Sequence, residues 1–407
     1  MNDLGRVGKL GVAGAPSLPT RPSTEALAMS ELAPDLNSLV NQLNRSRDPG
    51  QPAPSGSPQL DPLLAEAAQR GASDMLLVPG AAVALRINGG LVLTNRPPLA
   101  DDEVRNLMGP LLTTRQHQEL QRDKSVDFCF QRDGIGRFRA NLHHVRGNLA
   151  GSIRLLPARI PTLESLHLPA SLGSLAKARQ GLVLVTGSTG SGKSSTLAAL
   201  VDQINRDRRE HIVTIEDPVE YVHANKQSII EQIEVGHDAP DFAGSLRSIV
   251  RQDPDVIMVG EMRDPETMAM VLSAAETGHL VLSTLHTNDT SQAVSRILDG
   301  FPQGNQPQIR QQLSLAMLAI VAQQLVPACD GRGRYPALEV MTGSSAIRSI
   351  IRKGEDHQLY SALSTGRAEG MTTMEQSLGE MVRAGRISAE TAKAHCFRPG
   401  DMSMYLK

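Results

Sequence analysis

The sequence predicts an α/β protein with a parallel β-sheet at its centre. From Gly181 onward, short apolar runs and helical patterns alternate, which is typical of a parallel sheet with helices on its faces. A glycine-rich run, GSTGSGKS at residues 187–194, stands between the first strand and the first helix of this series. Two later strands each end in acidic residues. Because ligands gather at the carboxyl ends of parallel strands, these observations predict a phosphate site at that edge.

Length and composition narrow the possible functions. The chain has 407 residues, which suggests two or three domains. Lysine and arginine number 41 against 43 for aspartate and glutamate, so no overall positive field attracts nucleic acid or an anionic membrane. Aromatic residues are 2% of the chain and tryptophan is absent, which argues against stacking on bases or sugars. We therefore expect no nucleic-acid partner.

Cysteine usage and hydropathy indicate where the protein works. Cys129, Cys329 and Cys396 are widely separated and form no CxxC pair, which argues against a disulfide framework or a zinc site and fits a reducing cytoplasm. No apolar run reaches about 18 residues, and the amino terminus lacks a charged-then-apolar signal pattern. The sequence thus supports neither export nor membrane spanning.

Residues 1–60 are predicted to be a disordered leader. They contain no aromatic residue and many prolines and glycines, so they cannot bury enough apolar surface to offset chain entropy. Within them, Leu36, Leu39, Val40 and Leu43 fall at helical spacing. This short segment is either a transient helix or a docking element.

The rest of the chain divides into three predicted parts. Residues 61–165 alternate short apolar runs with glycine-rich turns around a helical stretch at about 101–121, which predicts a small α+β domain. Residues 166–345 hold the parallel-sheet pattern. The chain is predicted to be mainly helical after Pro302, with residues 346–407 as a C-terminal helical subdomain. An apolar stripe supports this helical prediction: Leu313, Met317, Ile320, Val321 and Leu325.

Individual elements follow from the apolar runs. In the first part, strands are predicted at residues 75–78, 83–87, 91–93, 126–130, 138–142 and 151–156. In the second, strands are predicted at residues 182–185, 212–215, 256–259 and 280–283, with helices at about 170–179 and 193–205.

Residues 187–194 match the phosphate-loop pattern GxxxxGK[ST] in the strand–loop–helix context that its mechanism requires. Its glycines let backbone N–H groups surround phosphates, Lys193 reaches the β and γ oxygens, and Ser194 is placed to hold Mg²⁺. A simple glycine-rich turn explains this context less well. We expect ATP and Mg²⁺ to bind at Gly187, Ser188, Thr189, Gly190, Ser191, Gly192, Lys193, Ser194 and Ser195.

Two acidic clusters offer groups that can act on water. Glu216, Asp217 and Glu220 follow the strand at 212–215, and Glu261 follows the strand at 256–259 in the layout of a Walker B motif. Gly260 stands where that motif usually has aspartate, so Mg²⁺ must depend more on Ser194 and water. Glu261 is the best candidate to position the attacking water. Helix capping explains Asp217 and Asp264 equally well.

His279 and His286 flank the strand at 280–283 but lack a third ligand at the spacing of a zinc site. At the carboxyl end of its strand, His286 is either a structural residue or a sensor of the γ-phosphate.

Four ordered sequence boxes resemble the PilT-type twitching-motility ATPases of the secretion ATPase superfamily. They are the Walker A run GSTGSGKSST, the Asp box TIEDPVEYVH, the Walker B stretch RQDPDVIMVGEMRD and the His box GHLVLSTLHT. The resemblance extends from about Gly71 to the carboxyl terminus. It departs from the family at Ser73-Asp74-Met75-Leu76, where a histidine usually follows the serine, aspartate and leucine, and at the glycine-rich segment 85–93.

The resemblance implies a hexameric ring of subunits with a PAS-like N-terminal domain and a RecA-like core, with ATP between the two. It implies that Glu261 is the catalytic glutamate, that Glu216 and Glu220 are Asp-box acids, and that His286 lies near the γ-phosphate. Three arginines lie in a stretch similar to the arginine-bearing segment of the family: Arg137, Arg139 and Arg154. They either stabilise transition-state charge on ATP or are solvated strand residues.

Two features favour the retraction branch of this family over the extension and type II secretion branch. Three scattered cysteines cannot make the four-cysteine zinc insertion of the latter, and AIRSIIR at 346–352 and GMTTMEQSL at 370–378 resemble retraction-ATPase segments. The predicted function is an ATP-hydrolysing hexameric motor that powers type IV pilus retraction. It would act through an inner-membrane platform protein of the pilus assembly machinery, at the cytoplasmic face of the inner membrane.

Three alternatives stay open at this point: an accessory or assembly/secretion ATPase of the same superfamily, a RecA-like nucleic-acid motor, and a nucleotide sensor that does not hydrolyse ATP.

Overall fold

The computed structural model describes residues 59–87, 89–157 and 159–406. The predicted leader, including the segment 36–43, lies outside these residues except for its last two positions. Its disorder and its short helix therefore stay predictions.

Six strands form the first sheet: β1 Asp74–Leu77, β2 Ala84–Ile87, β3 Gly90–Leu93, β4 Ser125–Arg132, β5 Gly136–Val145 and β6 Asn148–Leu156. Their order across the sheet is β3-β2-β1-β6-β5-β4, and all neighbours are antiparallel. Three helices pack on it: α1 Asp61–Gln69, α2 Glu103–Met108 and α3 Thr114–Asp123. Leu64, Val104 and Leu120 from these helices share one apolar cluster with the strands. Alternate residues of β4 are buried, as expected for a sheet with one covered face.

Seven strands form the second sheet: β7 Gly181–Thr186, β8 His211–Glu216, β9 Ile229–Glu234, β10 Val256–Val259, β11 Leu280–Leu285, β12 Met317–Pro327 and β13 Arg334–Thr342. Their order is β13-β12-β7-β11-β10-β8-β9. Only the β12–β13 pair is antiparallel, so the predicted parallel sheet is present.

Helices cover both faces of this sheet: α4 Lys193–Asp207, α5 Phe242–Ile249, α6 Pro265–Glu276, α7 Thr290–Asp299 and α8 Gln306–Ala316. Val183 and Val185 of β7 pack with α4 on one face, whereas Leu182 and Leu184 pack with α5 to α8 on the other. Residues Ala170–Lys177, predicted to be an α-helix, form a 3₁₀ helix. The strand β9 and the helix α5 had no clear sequence signal.

The prediction that the chain is mainly helical after Pro302 is wrong for residues 317–342. Most of the predicted apolar stripe lies on β12, a strand that is buried along most of its length between β7 and β13. A strand buried on both faces is apolar almost throughout, so residues at helical spacing occur in it without a helix. Hydrogen bonding to the neighbouring strands β7 and β13 makes this segment a strand rather than a helix.

The boundary between α8 and β12 is held by Arg348. Its guanidinium donates to the carbonyl oxygens of Ser314 at 2.6 Å and Met317 at 2.8 Å, which lie at the end of the helix and the start of the strand. Helix ends leave carbonyl groups without partners, so this arginine satisfies them. Arg348 belongs to the AIRSIIR segment, which thereby acquires a structural role.

The remaining chain is helical, as predicted: α9 Ser345–Lys353, α10 Leu359–Thr365, α11 Met374–Arg383, α12 Ala389–His395 and α13 Pro399–Tyr405. Helices α9 and α10 join the core of the second sheet, whereas α11 to α13 form a separate cluster on Val326 and Ala337 of the β12–β13 hairpin. Within the described residues, no helix combines the length and apolarity needed to cross a bilayer.

Candidate functional site: a phosphate loop at the edge of the parallel sheet

The phosphate loop, residues 187–192, joins β7 to α4. Gly187, Gly190 and Gly192 have φ angles of +147°, +78° and +92°, which residues with side chains rarely adopt. No side chain caps the start of α4, so its first N–H groups point outward as a ready anion site. The loop therefore has the geometry to hold phosphate.

Lys193 is buried inside the loop. Its Nζ donates to the carbonyl oxygens of Gly187 at 2.8 Å and Ser188 at 3.1 Å. Burial lowers the pKa of this ammonium, while the negative charges of Glu261 and Glu220 oppose that shift. The carboxylates of both acidic clusters thus act on the lysine that is expected to meet the phosphates.

Ser194 and Ser195 follow in the first turn of α4. Ser194 is exposed, and the Ser195 hydroxyl lies 2.7 Å from the hydroxyl of Tyr221 in the Asp box. Across the described part of the chain, no cluster of three His, Cys, Asp or Glu side chains is arranged to hold a metal. This donor set fits Mg²⁺ held by one hydroxyl, water and nucleotide phosphates rather than by a protein cage.

Glu261 lies immediately beyond β10. Its carboxylate is 3.2 Å from Nε2 of His286, which follows the adjacent β11, and it also pairs with Arg263. Burial alone would raise the pKa of Glu261, but the hydrogen bonds and charges of Arg263 and His286 outweigh it and lower the pKa. Glu261 is therefore ionised at neutral pH, as a base that accepts a proton from water must be.

Gly260 is explained by the close approach of β8. A Cβ at this position would lie 3.3 Å from the carbonyl oxygen of Ile215 and 3.5 Å from the Cα of Glu216. The Gly260 carbonyl also accepts a hydrogen bond from the Thr284 hydroxyl at 2.7 Å. A side chain here would be in tight contact with this backbone, so glycine suits the position where a Walker B motif usually has aspartate.

The two Asp-box glutamates occupy different environments. Glu216 is buried and accepts hydrogen bonds from Thr214 at 2.7 Å and Gln232 at 3.1 Å. Burial raises the pKa of Glu216 in spite of these bonds. Glu220 is exposed and its charge acts on Lys193. The charge of Glu220 thus acts on the lysine of the phosphate loop, whereas Glu216 makes buried hydrogen bonds to β8 and β9.

The capping interpretation is confirmed for Asp264, whose carboxylate accepts from the backbone N–H of Thr267 at 2.8 Å at the start of α6. Asp217 begins no helix; it is partly exposed and lies 4.0 Å from Arg263.

The three predicted arginines lie on β5 and β6 of the first sheet. Arg137 donates to the carbonyl oxygen of Val219 at 2.6 Å and to Glu234 at 3.2 Å, and so connects the first sheet to the Asp box. Arg154 pairs with Asp74 at 2.8 Å. Arg139 is paired with Arg154 in the strand register and is partly buried. Of the contacts described for these three arginines, those of Arg137 include a residue of the Asp box.

A cavity of about 430 Å³ borders the phosphate loop. It is lined by residues 188–191 of the loop and 394–397 of the C-terminal helices, together with Asn288, Gln324, Leu325 and Arg334. The C-terminal subdomain, for which the sequence indicated no role at the site, forms one of its walls.

Sequence analysis missed three residues that build the site: Arg263, Tyr221 and Gln323. Arg263 and Tyr221 lie inside the quoted Walker B and Asp boxes, so their position could have drawn attention to them. Gln323 lies on β12, which was predicted to be helical, and no sequence signal pointed to it.

Comparison with known proteins agrees with this geometry. A family model described as "Type II/IV secretion system protein" matches residues 153–394, more than half of the chain. The chain belongs to this secretion system family. The resemblance that the four boxes predicted is therefore confirmed.

Three relatives that are similar to this chain are named as twitching-motility or type IV pilus proteins. The chain is 40% identical to the type IV pilus retraction ATPase PilT of Pseudomonas aeruginosa, over 81% of this chain and 96% of that protein. It is 38% identical to the type IV pilus ATPase PilU of the same organism, over 86% of this chain and 91% of that protein. A crystal structure of the pilus retraction motor PilT with bound ADP superposes with a TM-score of 0.79 at 42% identity, covering 84% of this chain and 98% of that one. The mixed α/β fold is thus shared with a nucleotide-binding pilus motor.

Proposed function

We propose that this chain is an ATP-hydrolysing motor that powers retraction of type IV pili. The observation that carries the proposal is the convergence of Lys193, Glu261 and His286 at the carboxyl edge of one parallel sheet. Similarity to PilT over most of both chains supports the choice of filament. A nucleic-acid motor gains no support, because lysine and arginine do not outnumber acidic residues.

Each residue of the site has a role in this reaction. Backbone N–H groups of the phosphate loop and the Lys193 ammonium bind the phosphates of ATP. The Ser194 hydroxyl takes part in holding Mg²⁺, which neutralises phosphate charge when bound. Glu261 orients the attacking water and accepts its proton, and His286 fixes the carboxylate of Glu261 from the neighbouring strand.

The proposal extends to the assembly. Residues 166–345 form a RecA-like core and residues 61–165 a PAS-like domain, with residues 346–407 as the C-terminal helical subdomain. Six copies form a ring at the cytoplasmic face of the inner membrane and act on a platform protein. In the ring, ATP binds between the two domains, and Arg137, Arg139 and Arg154 stabilise charge on its phosphates.

Deleting the gene tests the proposal in cells. A retraction motor predicts long, abundant pili and loss of surface motility, restored by the wild-type gene but not by one encoding Lys193→Ala. The measurements are filament length by electron microscopy and the spread of surface colonies. Cells without pili would indicate an assembly motor instead. Since similarity to PilU is nearly as high, a partial motility loss at normal pilus number would indicate an accessory motor.

A second prediction concerns the pH dependence of hydrolysis. The hydrogen bond and charge of Arg263 lower the pKa of Glu261, so Arg263→Ala removes both influences and raises that pKa. The base must be ionised, so the acid limb of the kcat/KM profile should move to higher pH. The control is Arg247→Ala, which removes an exposed arginine paired with Glu266. An unshifted acid limb in Arg263→Ala would contradict the role of Glu261 as the base.

A further inference from the structure

We infer that Gln323 is a positioning residue that holds the phosphate loop in its ATP-binding shape, an inference that rests on the proposed ATPase function. Gln323 lies on β12, which runs parallel to β7 on the side opposite β11. Ala322 is the partner of Thr186 in the strand register, so the next residue on each strand brings Gln323 beside Gly187.

Both ends of the Gln323 amide contact the nucleotide-binding segment. Nε2 donates to the carbonyl oxygen of Ser191 at 2.8 Å, and Oε1 accepts from the hydroxyl of Thr196 at 2.8 Å. The side chain is only 3% exposed, so water does not compete for these bonds. The Gln323 amide thus connects the carboxyl-terminal part of the phosphate loop to the first turn of α4.

The glycines of the loop accommodate this residue. A Cβ at Gly192 would lie 2.8 Å from Nε2 of Gln323, and a Cβ at Gly187 would overlap the Gln323 carbonyl oxygen. In the phosphate-loop motif, Gly187 and Gly192 let the backbone approach the phosphates. Packing against β12 also requires glycine at both positions, because a Cβ at either one would collide with Gln323. The phosphate loop therefore packs against β12, a strand that lies outside all four sequence boxes.

These contacts have a consequence for nucleotide affinity. Without Gln323, the Ser191 carbonyl and the Thr196 hydroxyl each lose a buried partner, and the loop is no longer fixed before phosphate arrives. The free energy needed to order the loop then subtracts from the binding free energy of the nucleotide, which weakens the affinity for ADP and ATP. Because the Gln323 amide contacts the loop and α4 rather than Glu261 or His286, KM should rise while kcat changes little.

The test replaces Gln323 by leucine, which has a similar size and no hydrogen-bonding group. We expect the Kd for ADP with Mg²⁺, measured by calorimetry, and the KM for ATP to rise about ten- to a hundredfold. The kcat at saturating ATP should stay within about threefold of wild type. Thr196→Val should weaken ADP binding on its own, yet add less in the Gln323→Leu background, because both changes break the Gln323–Thr196 bond and only the longer contact of Thr196 with the Gly192 carbonyl, at 3.2 Å, remains to be lost.

Asn205→Leu is the matched control. Asn205 is a fully buried amide at the other end of α4, where it donates to the carbonyl oxygen of Ala224 at 2.8 Å and accepts from the backbone N–H of Lys226 at 3.0 Å. This variant should lower the melting temperature as Gln323→Leu does but leave the Kd for ADP unchanged. An equal rise in the Kd for ADP in both variants would mean that Gln323 contributes only to general stability, which would overturn the inference.

The outcomes separate the inference from the proposed function. If the wild type binds ADP and Gln323→Leu binds it equally well, the inference is wrong and the ATPase proposal stands. If the wild type neither binds ADP nor hydrolyses ATP, the ATPase proposal is wrong and the inference with it. Should Gln323→Leu not fold, Thr196→Val alone decides, and wild-type affinity in that variant overturns the inference.

Discussion

Replacing Glu261 by glutamine should leave nucleotide binding intact and slow ATP hydrolysis by about a hundred- to ten-thousandfold. Glutamine keeps the size of the side chain and can still contact His286, which lies 3.2 Å from the carboxylate. It cannot accept a proton from water. The loss should therefore fall on kcat, whereas the phosphate loop, which does not include this residue, still binds ADP.

Phosphate release at saturating ATP and calorimetric binding of ADP measure the two effects separately. The control is Glu276→Gln, which changes an exposed acid at the far end of α6 that accepts from Gln312 at 3.0 Å. Full turnover in Glu261→Gln would remove this residue from the reaction and point to Glu220, whose charge also acts on Lys193. Loss of ADP binding would instead assign Glu261 a role in holding the nucleotide.

The sequence indicated the parallel sheet correctly where strands alternate with well-bounded helices. The runs at 182–185, 212–215, 256–259 and 280–283 each correspond to a strand that is at most two residues longer. It failed at β12, because an apolar segment buried on both faces carries no period that separates strand from helix. What makes it a strand is its pairing with β7, a contact between segments more than a hundred residues apart.

The candidate site was predictable to the extent that it lies in continuous motifs. Lys193 and Glu261 follow from spacing, since a phosphate loop and a strand-terminal acid are local patterns. The side chains that orient them are not local. Gln323 reaches the loop from β12, and Arg137 reaches the Asp box from the first sheet. Such contacts depend on tertiary packing, so one sequence without its fold does not show them.

The Walker A lysine supplies the second large effect: Lys193→Ala should strongly weaken nucleotide binding and, with it, ATP hydrolysis. Lys193 is a buried cation that directly follows the phosphate loop. Its ammonium contacts the carbonyl oxygens of Gly187 and Ser188. Phosphates that enter the loop would meet this charge in a site where burial strengthens electrostatic attraction. Without it the phosphate loop offers the phosphate charge only uncharged donors, so we expect the Kd for ADP to rise at least about a hundredfold.

Thermal denaturation with and without ADP and Mg²⁺ measures this loss. At a ligand concentration of a hundred times Kd, binding stabilises the wild type by about 2.7 kcal/mol, which raises the melting temperature by several degrees. The same concentration does not exceed the Kd expected for Lys193→Ala, so ligand should stabilise that variant by no more than about 0.4 kcal/mol and shift its melting temperature by about a degree or less. Lys177→Ala, which removes an exposed lysine, should keep the full shift. Burial of the Lys193 ammonium itself costs free energy, so we expect Lys193→Ala without ligand to melt close to the wild type. The loss of the ligand-induced shift in melting temperature then reports a loss of ADP binding and not a loss of folding. An undiminished shift in Lys193→Ala would mean that ADP binds elsewhere than in the phosphate loop.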